Sequence, residues 1–357
     1  DDGNDCTQDS CDPDTGACVY TPQAGCPVLE VSPTEKDLRA VWGGSEDAVW
    51  AVGEDLTIIF YNGEKWLSYA IPNAGCSKLQ LYDIHGVAGD HIWAGASDER
   101  LIHYDGTAWH CKDPKGLAYK VWNNANDVPI YKVWSGLTDT EDGVVATSLG
   151  FTFHWKGPTV GAHIWKWANE TWNNSLDMAA GWNNSGMMER PVAVCHEKEI
   201  WLATWGLAAP KEASDAAQLR LYQAEKPAKT MTTLQDLADP YFEMRDGVCL
   251  ASNDVHMAGY YGQVVHWDGA KLTKTNLYPG VPVEERPTFW AVAGDAVTGV
   301  FAVGDQGAIA HWQPEVGWKL LESGVDVKLN GVWVGAEGTV WVVGDGGTIL
   351  KIVQGVP

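Results

Sequence analysis

Short apolar runs broken by Gly, Asp or Asn recur along almost the whole chain. In "AVWGGSEDAVWAVGEDLTIIFYNGEKW" (residues 40–66), β-branched and aromatic residues gather into three runs separated by turn residues. A fourth run, "KWLSYAI", follows the last turn. Runs this short, with turn signals between them, predict strands joined by tight turns. No amphipathic helix of ordinary length competes.

The pattern repeats. Residues 83–109 and 331–355 can be laid over 40–66, and 246–272 and 291–318 are further copies. Two more, at 132–172 and 192–226, open alike but are interrupted. Seven units of roughly 47 residues match the period of propeller blades. Four antiparallel strands per unit, repeated radially, predict an all-β, seven-bladed β-propeller over residues 27–357. The last unit stops after its third strand, at "TILKIVQGVP". Its fourth strand is expected from "CPVLEVSP" (26–33), which would close the ring and cover its edges.

In a four-stranded blade, turns 1–2 and 3–4 lie on one face. Turns 2–3 and the links between blades lie on the other. The first set is uniformly short. The second is elaborated in blades 2 to 5, with loop insertions expected at 151–162 and 207–218 and long connections at 111–130, 173–190 and 227–241. Long loops on one face of a rigid scaffold are where binding usually sits.

On these segments "WNN" occurs three times, at Trp122-Asn123-Asn124, Trp172-Asn173-Asn174 and Trp182-Asn183-Asn184. An indole stacks on the apolar face of a sugar ring, and Asn amides serve its hydroxyls. With Trp155, Trp165 and Trp205 nearby, these residues form a candidate glycan cleft. The plainer alternative is that Asn makes the turns and Trp pins the loops to the blade. Trp172 aligns with Trp66 and Trp109, so its role is that of the repeat. Asn169, Asn173 and Asn183 also fit the glycosylation sequon.

The histidines read as packing. His103, His266 and His311 share one position in strand 3, and His85 and His256 stand where other blades carry Trp. His154 and His163 are a pair to watch, too loosely spaced to define a metal site.

Charge narrows the partners. Formal charge is −23, from 47 acidic and 24 basic residues. Nucleic acid and anionic membranes would be repelled. No segment is apolar for long enough to insert into a bilayer. Eight cysteines, an even number, fit an oxidising compartment, so the chain is expected to be extracellular, periplasmic or at the cell surface.

Cys6, Cys11, Cys18 and Cys26 fall in the first 26 residues, a stretch too polar to bury a core, so disulfides must hold residues 1–26 as a small module. Their pairing is open among three connectivities. Cys195 and Cys249 fall on innermost strands of adjacent units and are expected to bridge, which leaves Cys76 with Cys111. Asp2, Asn4, Asp5, Asp9, Asp12 and Asp14, with Asp1, supply the dense oxygens that calcium prefers. A solvated acidic cap is the alternative.

"DDGNDCTQDSCDPDTGAC" resembles the Cys-rich "DDGNxCTxDxCDPxTGxC" modules of secreted and surface proteins of some bacteria. The repeats resemble tandem secreted bacterial propellers of the "VWG…DVWAVG…HYDG..W" type. The two resemblances imply architecture and leave function open, because propellers host many activities. No metalloprotease, nucleophile-elbow, phosphate-loop or haem-attachment signature is present, and no organic cofactor is expected. The chain therefore reads as a non-enzymatic binding propeller for a glycan or a surface protein. A structural subunit of a surface assembly is the alternative. A polysaccharide-active enzyme stands third and predicts a cleft with two facing carboxylates, one of raised pKa.

Overall fold

The computed structural model describes residues 7–11, 15, 18–22, 24–71, 76, 78–98, 100–112, 130–135, 144–154, 157–168, 171–177, 187–196, 199–206, 218–223, 230–236 and 244–354. They form seven four-stranded antiparallel sheets in chain order, and a separate two-stranded hairpin, Thr7–Cys11 with Cys18–Pro22. Each sheet begins with its innermost strand: Leu38–Ser45, Leu81–Ala88, Ile130–Ser135, Met187–His196, Met244–Ala251, Phe289–Asp295 and Leu329–Val334.

Both faces of a sheet are covered by its neighbours. Hence the second strand of the first sheet, Ala48–Gly53, reads as an unbroken apolar run instead of an alternating one. Val49, Trp50, Ala51 and Val52 are all buried. The core is a set of layers between sheets. Trp42 and Trp50 of the first sheet pack with Ile84, Ile92 and Trp109 of the second. Trp341 and Ile349 of the seventh pack with Val41, Val49 and Trp66 of the first.

The seventh sheet is completed from the other end of the chain. Pro27–Leu29 pairs antiparallel with Ile349–Val353, Pro27 facing Ile352 and Leu29 facing Leu350. Leu329–Val334 packs in turn against Leu38–Ser45, so the last sheet meets the first. Cys195 is bonded to Cys249 across the fourth and fifth innermost strands, and Cys76, in the link before the second sheet, to Cys111 on that sheet's fourth strand. Cys26 is also disulfide-bonded.

Several segments expected as loops are strands. Residues 151–154 and 157–162 continue the sheet, Val144–His154 pairing with Gly157–Ala168 down to His154 opposite Gly157. The alternating Thr, Val and aromatic residues there sustain pairing beyond the ordinary blade edge. Thr171–Asp177, which overlaps the start of the expected 173–190 connection, is the fourth strand of the third sheet. Thr230–Asp236, within 227–241, is the fourth strand of the fourth. Residues 207–217 and 113–129 lie outside the described residues.

Candidate functional site

All seven innermost strands line one central cavity of about 780 Å³. One end of it lies where those strands begin. Arg39, Tyr82, Tyr131, Arg245, Trp290 and Asn330 each occupy the second position of their strand, and all are half-buried. That shared position is what brings residues scattered over nearly the whole chain to one rim.

A repeated turn positions them. In four of the sheets the second strand ends on a glycine followed by a tight turn, Glu54–Leu56, Tyr260–Gly262, Asp305–Gly307 and Asp345–Gly347. The glycine is required. A Cβ on Gly53 would overlap the Asp37 carbonyl oxygen, and one on Gly304 would overlap that of Thr288. The turn can therefore sit directly on the residue preceding the innermost strand. The backbone N–H of Asp305 donates to the Thr288 carbonyl, and that of Asp345 to Lys328.

From there the turn's side chain holds the rim residue. The indole N–H of Trp290 donates to Asp305 Oδ1 at 2.6 Å. Asn330 Nδ2 donates to Asp345 Oδ1 at 2.7 Å and to the Leu38 carbonyl at 3.0 Å. In the fifth sheet Tyr260 replaces the turn's Asp, and the Arg245 guanidinium lies over its ring at 4.3 Å. An Asp305→Ala variant is expected to lose about 1–3 kcal/mol of unfolding free energy, because Trp290 and the Thr288 N–H both lose their acceptor. Urea unfolding checks this; an unchanged midpoint would mean that stacking alone holds Trp290.

The rim forms a run of cations on aromatic faces. Arg39 lies 5.0 Å from the Tyr82 ring centre, and Tyr82 meets Tyr131 at 5.1 Å. Arg245 also lies over Trp290 at 4.9 Å, and Lys328 Nζ over the same ring at 3.8 Å. Burial lowers the Lys328 pKa, against the opposing pull of Asp305 and Asp345.

Beneath the rim lies a charged floor built from the third position of three strands. Lys132 Nζ sits 2.8 Å from Asp246 Oδ1 and 3.9 Å from Asp83 Oδ1. The other oxygen of each carboxylate accepts a backbone N–H of the following sheet: Val133 to Asp83 Oδ2 at 2.8 Å, Val292 to Asp246 Oδ2 at 2.9 Å. Burial raises the Asp83 pKa to about 6, with Lys132 opposing. Burial, then Lys132, pushes the neighbouring His85 down to about 4. Two carboxylates in a cleft, one with a raised pKa, match the signature expected of a glycosidase. Their oxygens, however, are engaged by Lys132 and by backbone amides, so the pair is built as a brace between strands.

The histidines stack across strands 2 and 3. Trp93 meets His103 at 4.1 Å, Phe301 meets His311 at 4.1 Å, and His256 meets His266 at 4.0 Å. Asp254 Oδ1 lies 3.0 Å from His256 Nε2 and 2.8 Å from His266 Nε2. The grouping has metal-ligand chemistry. The two rings lie 8° from parallel, and both Nε2 atoms approach the same carboxylate oxygen. Hydrogen bonds to the shared carboxylate account for the grouping without an ion. His154 and His163 do not form a pair: His163 faces Ser148, six residues along the strand from His154, or roughly 20 Å.

The "WNN" residues are placed in part. Trp122, Asn123, Asn124, Trp155, Trp182, Asn183 and Asn184 lie outside the described residues. Trp165 stands directly opposite Asn174, and Lys166 opposite Asn173, across the third and fourth strands of the third sheet. Trp205 stands opposite Met188, in the fourth sheet. Of the N-terminal acidic set, Asp9 lies on the hairpin opposite Tyr20. Asp2, Asn4, Asp5, Asp12 and Asp14, and Cys6, lie outside the described residues, and Cys11 stands opposite Cys18.

The rim was not singled out from sequence. The available signal was the second position of each innermost strand, where Arg, Tyr and Trp recur. It carries weight only once the strands are known to surround one channel.

No protein-family model matches the chain, and no curated protein does. Solved structures share the fold. YCF48 bound to D1 peptide is 12% identical, with a TM-score of 0.61 over 93% of this chain and 100% of that one. The WD40 β-propeller domain of Doa1 is 13% identical, with a TM-score of 0.59 over 93% and 97%. The extracellular domain of the putative one-component system BT4673 from B. thetaiotaomicron is 10% identical, with a TM-score of 0.61 over 90% of this chain and 39% of that longer one. At these identities the likeness establishes a β-propeller fold and nothing finer.

Proposed function

We propose that the chain is an extracytoplasmic, non-enzymatic binding propeller whose seven sheets are the blades of one closed ring. A segment of another surface protein enters the mouth of its central channel. The observation that carries this is the rim: aromatic rings and cations from five blades, each locked by a turn or a neighbouring ring, around an open cavity of about 780 Å³. Volumes of this size are usual for ligand sites. Residues held before a ligand arrives lose little entropy on binding it. The bonded cysteines support an oxidising compartment. No helix among the described residues is long and apolar enough to cross a membrane. One propeller of similar fold is described as bound to a peptide.

A glycan is the second candidate ligand, favoured by the pairing of Trp165 with Asn174 on the long hairpin sheet. Strands 2 and 3 of the third sheet pair out to His154 opposite Gly157, at the end of the sheet that Asp305–Gly307 occupies in the sixth. Calcium in the acidic N-terminal segment is proposed from its sequence alone.

The test is a random linear-peptide display library and a glycan array, run side by side on the full chain with and without calcium. Enriched peptides whose binding falls at least tenfold in Tyr82→Ala/Trp290→Ala, with the fold intact by circular dichroism, support the channel mouth. Glycan binding alone, abolished by Trp165→Ala, would move the site to the hairpin.

A further inference from the structure

The seams between neighbouring innermost strands are not built alike. Where the first sheet meets the second, and the seventh meets the first, an indole lies on a glycine. A Cβ on Gly86 would come within 2.5 Å of the Trp42 ring, and one on Gly43 within 2.7 Å of the Trp333 ring. The seam between the fourth and fifth sheets breaks this pattern. Ala193 faces Trp201 as Trp42 faces Trp50, so a methyl group stands where the indole stands in the first sheet. Cys249 faces Val255 as Gly43 faces Val49 and Gly86 faces Ile92, so it takes the glycine's place. A Trp side chain buries about 150–250 Å², and Ala only a small part of that. What this seam has instead is the Cys195–Cys249 bond.

The bond is also within reach of solutes. Cys195 and Cys249 are both half-buried, and both line the central cavity. The Cys76–Cys111 bridge differs. Cys76 is 1% exposed and belongs to the core between the first and second sheets. Direct attack on its sulfur is blocked. Attack on Cys111 would expel a Cys76 thiolate into apolar surroundings, which raise a thiol's pKa and make it a poorer leaving group.

We infer that Cys195–Cys249 is a thiol-exchange site, opened by a low-molecular-weight monothiol that enters the channel, and that opening it loosens the seam between the fourth and fifth sheets. The monothiol's thiolate bonds to one of the two sulfurs and expels the other cysteine as a thiolate, which takes a proton from water. A second monothiol resolves the mixed disulfide. Two monothiols are thereby oxidised to their own disulfide, and two cysteine thiols remain in the protein. The Ala251 carbonyl oxygen lies 3.2 Å from Cys249 Sγ and is an acceptor for the S–H formed there. This chemistry is independent of what binds at the rim.

Reduced glutathione is the probe. The full chain is incubated with it at pH 8 without denaturant, at concentrations that leave the circular dichroism spectrum unchanged. Aliquots are quenched with acid, free thiols are alkylated with N-ethylmaleimide, and each cysteine is followed by peptide mass spectrometry. Cys195 and Cys249 should be alkylated, or carry glutathione, at least ten times faster than Cys76 and Cys111. Hydrogen–deuterium exchange is then compared before and after that opening. It should quicken at least tenfold in Met187–His196 and Met244–Ala251, while Leu38–Ser45 and Leu329–Val334 keep their rates.

Opening no faster than that of Cys76–Cys111 would overturn the exchange site. Fast opening with unchanged hydrogen exchange in the fourth and fifth innermost strands would overturn the bond's role as a lock on the seam. Exchange that quickens equally at the seam of the seventh and first sheets would overturn it too, because the effect would then be general unfolding.

Discussion

Replacing Lys132 by Met should destabilise the fold by about 3–5 kcal/mol, the usual cost of removing one partner from a buried ion pair. The ammonium is only 18% exposed, and the Asp246 and Asp83 side chains are 7% and 14% exposed. Without it, two carboxylates face one another across the channel with backbone amides as their only described partners. The loss should be recovered in large part by also changing Asp246 to Asn, which removes the repulsion and keeps an acceptor for the Val292 amide. Urea unfolding at neutral pH of the single and double variants measures both effects. A change below about 1 kcal/mol in the single variant would show that the channel floor is wetter and looser than its geometry implies.

The same floor should have an unusual response to acid. Asp83 has a folded pKa raised from 3.8 to about 6. It contributes stability that is fully present below pH 3.8 and is lost as the pH rises through 6. His85 has a folded pKa lowered from 6.5 to about 4. It contributes stability that is present above pH 6.5 and is lost as the pH falls through 4. Each shift of about two units corresponds to about 3 kcal/mol. The two windows overlap with opposite sign, so in the wild type they largely cancel.

Single variants should expose each in turn. Asp83→Asn leaves His85 unopposed, and on acidification from about pH 6.5 to 4 it should lose about 3 kcal/mol more than the wild type. His85→Phe leaves Asp83 unopposed and should gain a similar amount relative to the wild type. Unfolding free energies across that range decide it. Two variants that run parallel to the wild type would show that neither group changes its proton occupancy on folding.

The propeller was legible because its blades share sequence. The three runs and their Gly/Asp turns return often enough to be counted, and the closing strand was implied by a last unit one strand short. Pro27–Leu29 takes that place. The hairpin at 144–168 was misjudged because an insertion into a repeat has no partner copy to align with. Its own alternation of Thr, Val and aromatic residues was the better guide.

The rim was illegible for a different reason. Arg39 and Tyr82 belong to different units and meet only through the radial packing of their strands. A repeat alignment also treats their position as variable. Variation from blade to blade, Arg to Tyr to Trp to Asn, hides the rim from sequence comparison. The histidines show the converse. His103 and His311 recur at one position because an aromatic face is needed there to stack on Trp93 or Phe301.

One measurement tests the channel mouth as the binding site most directly. A photocrosslinking amino acid, p-benzoylphenylalanine, is placed at Tyr82 on the rim, at Leu67 on the outer strand of the first sheet, and at Thr159 on the long hairpin. Each protein is irradiated with a labelled peptide from the display selection. Crosslinking at Tyr82 that unlabelled peptide abolishes, with Leu67 and Thr159 silent, is the expected result. Crosslinking at Thr159 or Leu67 with Tyr82 silent would contradict it and move the site off the channel.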